Sequence, residues 1–153
     1  ARRPGQVWEC SHTGGHRFAA TGVVLPTGQC VARLAGELAV EVLDPAAAGR
    51  LASGSLGERH DRGRSHLPPA AMAAESWVRA ETGDVDPTSL RAEIVSEDAD
   101  AATVRVSRRD GVEWTLHARL SVGEPLPESC GKAAVASRTW AVTSVGVSPR
   151  PRP

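Results

Sequence analysis

Tyrosine is missing from this chain of 153 residues, phenylalanine occurs once, at Phe18, and lysine once, at Lys132. A core without tyrosine must be filled mainly by Leu, Val and Ala beside the four tryptophans, so small side chains have to pack closely. An excess of charge is missing too, because 18 basic and 18 acidic residues cancel. Without a net field, neither nucleic acid nor an anionic membrane is expected as a partner. No apolar run approaches the roughly 20 residues that span a bilayer, and the N-terminus lacks the apolar core of a signal peptide. A cytoplasmic protein is expected. The three cysteines, Cys10, Cys30 and Cys130, make no disulfide framework at their irregular spacing, which suits a reducing compartment.

What is present is enough for one domain, or one and a half, with a buried core. The opening ARRPGQVW enters a strand directly through a Pro-Gly turn, so a fragment of a longer protein is expected. Residues 22–34, GVVLPTGQCVARL, read as a hairpin. Leu38, Val42 and Leu43 then recur at helical spacing up to Asp44-Pro45, where a break and a second short helical turn are expected. Residues 53–67, rich in Gly, Ser and Arg, read as a loop or linker. A helix follows, with Pro68 and Pro69 suited to its first turn and Gly83 to its C-cap. From Leu90 the period becomes two: residues 102–108 and 112–120 flank Asp110-Gly111, a hairpin turn, and residues 139–147 supply a last strand. SPRPRP closes the chain as a frayed tail.

Chemistry concentrates in ECSHTGGHRFA, residues 9–19, where Cys10, His12 and His16 fall within seven positions. On a helix, the H-x3-H spacing would put both imidazoles on one face, as in zinc hydrolases. That reading fails here, because Thr13 follows His12 where the catalytic glutamate belongs and Gly14-Gly15 costs about 1 kcal/mol per glycine in a helix. A tight loop is the alternative, and its glycines let a bulky ligand approach the main chain. Cys10, His12 and His16 offer at most three ligands, and a closed tetrahedral site needs a fourth from elsewhere. The pattern alone leaves three readings open: an iron-sulfur or other metal site, a zinc-stabilised binding module using Cys10, His12 and His16, or a polar turn in a structural remnant without metal.

VWECSHTGGHRFA followed by VVLPTGQCVARL resembles the histidine segment of the sucrase/ferredoxin-like family, thioredoxin-like ferredoxins in which such a loop precedes a strand, an LP-x-G turn and a second strand. RGRS at residues 62–65, PPAAMAAE at 68–75 and Ser129-Cys130-Gly131 are similar to it as well, so the resemblance covers most of the chain. It departs at Val31-Ala32, where the family usually has Tyr-Gly before Arg-Leu. The resemblance implies a [2Fe-2S] cluster held by His12 and His16 together with two cysteines of an upstream segment, only nine residues preceding Cys10 here. It also implies electron transfer to a redox partner protein. An electron carrier is expected rather than a hydrolase, since no pair of carboxylates is placed to flank a glycosidic bond. The fold implied is α+β: the C-terminal half of a thioredoxin-like domain over residues 1–52, a linker at 53–67, a small helix plus antiparallel-sheet unit at 68–148, and a tail at 149–153.

The remaining polar residues have plainer readings beside the chemical ones. Cys10 and Cys30 read as small buried side chains and Cys130 as a loop thiol. Arg17 and Arg33 flank the histidine loop, where they either stabilise a cluster's negative charge or pair with surface carboxylates. The arginines of residues 62–65 either dock a partner or an anion or are simply solvated. Trp77, Trp114 and Trp140 are expected in the core, and Trp8 as a shield over the histidine loop.

Overall fold

In the computed structural model, residues 6–10, 16–127 and 131–149 are described. They form an α+β arrangement of two helices and two antiparallel sheets. No helix among the described residues is long and apolar enough to cross a membrane.

The first sheet has the order β1-β2-β3, with β1 Gly22–Val24, β2 Gln29–Val31 and β3 Asp61–Arg64. The expected hairpin is β1 and β2, which pair Val23 with Cys30 across the Pro-Thr-Gly turn. Gly28 sits in the left-handed region there, at φ 74°, with its N–H donating to Val24 O at 2.9 Å. Helix α1, Glu37–Ala47, follows the hairpin.

Helix α1 runs through Pro45, where the sequence suggests a break. Pro45 lies in the last turn, so its missing N–H costs one bond near an end. The N–H groups of Ala48, Gly49 and Arg50 then close that end on the carbonyls of Asp44, Pro45 and Ala46.

A second correction concerns residues 53–67, expected as a loop or linker. They contain a short 3-10 turn, Ser53–Ser55, and strand β3, which pairs with β2. Strand β3 lacks apolar alternation because its two buried positions are Asp61 and Gly63. Asp61 Oδ1 accepts from Gln29 Nε2 and, at 2.7 Å, from the Gly63 N–H, so a buried polar pair stands where apolar contacts usually stand. Gly63 has φ 74°, and a Cβ there would lie 2.7 Å from Met72 Cβ and 2.9 Å from Met72 O. Only glycine lets β3 approach the following helix so closely.

Helix α2, Pro69–Thr82, ends as the sequence predicts, with Gly83 in the left-handed conformation at φ 65°. It packs on the second sheet, ordered β4-β5-β6-β7: β4 Leu90–Glu97, β5 Ala101–Arg108, β6 Val112–Pro127 and β7 Ala134–Pro149. Ala70, Ala71, Ala74 and Val78 form the buried face of α2 against Val104, Val106, Trp114 and Leu116. The small helix residues bring α2 close to the strands, as a core poor in aromatics requires. Period-two alternation is visible in β6, where Trp114, Leu116 and Ala118 are buried and Thr115, His117 and Arg119 exposed. Trp77 and Trp140 pack at the margin of this core. Ser148 and Pro149, expected in the tail, instead extend β7 and pair with Glu113 and Val112.

A buried ionic triad ties β3 to α2. Glu75 takes a bidentate contact from Arg64, through Nε at 2.8 Å and through NH2, and a further bond from Arg79 NH2 at 3.0 Å. Arg79 also donates to Asp86 O at 2.7 Å and Pro87 O at 3.1 Å, and Arg64 to Leu90 O at 3.1 Å. Carbonyls thus satisfy several guanidinium donors that the carboxylate does not reach, which offsets part of the cost of burying the charges, while the buried Arg79 Nε has no partner among the described residues.

Candidate functional site

His12 lies outside the described residues, as does Cys130. His16 opens the 3-10 turn His16–Phe18, and its backbone alone is described. The expected pairing of His12 with His16 therefore falls outside the described geometry. Cys10 is exposed, in contrast to its reading as a buried residue, and Trp8 is exposed as well. Cys30 is half-buried in β2, with its Sγ 3.6 Å from Gly28 O. Burial pushes the Cys30 thiol up, the charge of Asp61 adds to this, and Arg62 opposes it. Among the described residues, no three His, Cys, Asp or Glu side chains converge to hold a metal ion.

The chain continues from His16 straight into a cluster of arginines that the sequence scatters over 46 positions, from Arg17 to Arg62. The guanidinium carbons of Arg62, Arg17 and Arg33 lie 4.0, 4.8 and 5.8 Å from the centroid of the Phe18 ring. All three fall within the ~6 Å over which a ring face attracts a cation. Arg17 reaches it from the 3-10 turn and also donates to Arg138 O at 3.1 Å, fastening that turn to β7. Arg33 follows β2, has φ 52°, and donates to Arg59 O at 2.7 Å. Arg62 comes from β3, the segment expected to be a linker.

The electrostatics of the cluster are unbalanced. None of these three guanidiniums meets a carboxylate within 4 Å among the described residues. Burial lowers the Arg62 pKa, the charges of Arg17 and Arg33 lower it further, and Asp61 opposes them. The alternative expected for Arg33, a surface carboxylate partner, is not what it meets; its contacts are a carbonyl and a ring.

Beside the cluster opens a cavity of about 1060 Å³, lined by residues of the first sheet, α2 and the middle of β6 and β7. Arg33, Arg59, Arg62 and Arg138 line it, opposed by the carboxylates Glu58 and Asp61. Met72, Leu120 and Trp140 supply an apolar wall. Asp61 is buried, and burial is the main reason its carboxyl is pushed above the ordinary range. Its Oδ2 and the neighbouring Gln29 Oε1 are buried without a hydrogen-bond partner among the described residues.

Sequence reasoning singled out Arg17, Arg33 and the arginines of residues 62–65, but not that they meet, nor that Phe18 is where they meet. The available signal was the single phenylalanine of the chain, set directly after Arg17. Comparison with known proteins found no matching family model, curated protein or solved structure.

Proposed function

We propose that this chain is the histidine-bearing part of a thioredoxin-like [2Fe-2S] electron carrier, exchanging electrons with a redox partner protein. His12 and His16 would supply two ligands of the cluster, with two cysteines from a segment outside this chain as the others. The observation that carries the reading is the order of elements after the H-T-G-G-H loop. A hairpin, β1 and β2, is followed directly by α1, the ββα succession that the C-terminal half of a thioredoxin-like domain requires.

A cluster so held supplies a one-electron redox centre. Neutral imidazoles in place of two thiolates remove negative charge from one iron, which raises the reduction potential as in Rieske centres. Each imidazole would keep one ring N–H beside the cluster, a proton the site could exchange with solvent.

The test uses the longer protein with its cysteine segment, isolated without oxygen. His12→Ala and His16→Ala should each abolish or destabilise the visible absorption, whereas His→Cys at either position should keep the colour and lower the potential. Two alanine variants with unchanged spectrum and potential would show the ligand assignment to be wrong. A colourless protein with stoichiometric zinc would favour a zinc module using Cys10, His12 and His16.

A further inference from the structure

The arginine cluster is not needed to ligate iron, and its cost has to be explained. Three positive charges gather around one ring, Arg62 half-buried among them, with no carboxylate in contact among the described residues. Several other arginines of the same fold do meet carboxylates: Arg64 and Arg79 with Glu75, Arg108 with Asp110, Arg138 with Asp100. Each guanidinium carries five N–H donors, and the bonds of Arg17 and Arg33 to neutral carbonyls use few of them. The concave site beside them is lined both by arginines and by the apolar side chains of Met72 and Trp140. Its volume of about 1060 Å³ is at the upper end of small-molecule sites and far exceeds what a single inorganic anion fills.

We infer that this cavity binds a phosphorylated small molecule of nucleotide size, its phosphoryl groups held by Arg33 and Arg62 and its ring or apolar body laid against Met72 and Trp140. Phosphoryl oxygens suit the forked N–H geometry of arginine and carry enough negative charge to offset the basic wall against Glu58 and Asp61. Phe18 is a positioning residue, its ring holding Arg62 with the planar N–H edge free. Arg17 adds charge at the ring without lining the cavity. The inference does not depend on an iron-sulfur cluster, and its failure would leave the histidine assignment standing.

The test is isothermal titration of the 153-residue chain with adenosine diphosphate, pyrophosphate and citrate, at an ionic strength fixed with sodium chloride. The expected result is saturable one-to-one binding of adenosine diphosphate, tighter than pyrophosphate because of the apolar wall, and weaker or no binding of citrate. Arg62→Gln and Arg33→Gln should each weaken adenosine diphosphate at least about tenfold, the loss of one charge-assisted hydrogen bond. Arg91→Gln, an exposed arginine of β4 paired with Glu93, should bind like the parent chain. Circular dichroism checks that Arg62→Gln is folded; if it is not, the exposed Arg33 decides the matter. Absence of saturable binding, equal loss in Arg91→Gln, or citrate binding as tightly as adenosine diphosphate would overturn the assignment.

Discussion

The two sheets solve the burial problem in opposite ways. The four-stranded sheet and α2 bury Val104, Val106, Leu116 and Val78 in one apolar cluster, with alternation along each strand deciding which side chains face in. The three-stranded sheet buries Gln29 and Asp61 at the starts of β2 and β3, and the 3-10 turn before it lies among arginines around Phe18. Apolar burial is non-directional and tolerates approximate fit, whereas a buried carboxylate is stable only with its partners in place. The first sheet is thus the part that a single charge or methyl change can undo, and the part that holds recognisable chemistry.

The strongest way to break this contrast is at the triad joining the two regions. Glu75→Gln leaves Arg64 and Arg79 facing a neutral amide in a buried site, so a loss of about 3–5 kcal/mol is expected in chemical denaturation. A loss under about 1 kcal/mol would mean that the triad does not tie the regions together.

Smaller, and confined to the first sheet, is the effect of Gly63→Ala. A methyl group there meets the backbone of Met72 at a positive φ, and the expected cost is about 2–4 kcal/mol. Gly83 shares the left-handed conformation but has open space around it, so Gly83→Ala should cost only about 1 kcal/mol. Equal costs would show that backbone strain, not the approach of β3 to α2, governs both positions.

The mildest probe is Asp61→Asn read against pH. Burial raises the Asp61 pKa, so the folded state binds a proton more readily than the unfolded one. Its contribution to stability is therefore greatest below the ordinary carboxylate value of 3.8 and falls as pH rises through the folded value. The variant keeps an acceptor for Gln29 and Gly63 and has no charge to bury. Urea midpoints of the parent chain relative to Asp61→Asn should decline as pH rises across that window; parallel curves would contradict a buried, strained carboxylate.

These differences also explain what the sequence made legible. The hairpin at Asp110-Gly111, the cap at Gly83 and the alternation of β6 follow from local rules that tertiary context did not override. Strand β3 was hidden because Asp61 and Gly63 occupy the positions where apolar residues advertise a strand. Pro45 misled because a proline in a final helical turn looks, in sequence, like one that breaks a helix. The loop containing His12 was conspicuous from its spacing, but the arginine cluster was not. Arg17, Arg33 and Arg62 come from three segments, and only the fold brings them to one ring.

The central claim, ligation by His12 and His16, is tested most directly by pulsed electron paramagnetic resonance on the reduced longer protein grown with 15N-histidine. The account predicts two iron and two sulfide per chain and two histidine nitrogens coupled to the cluster spin, one lost in each of His12→Ala and His16→Ala wherever the cluster survives. A reduced cluster with no histidine nitrogen coupling, or a protein holding zinc and no sulfide, would contradict it.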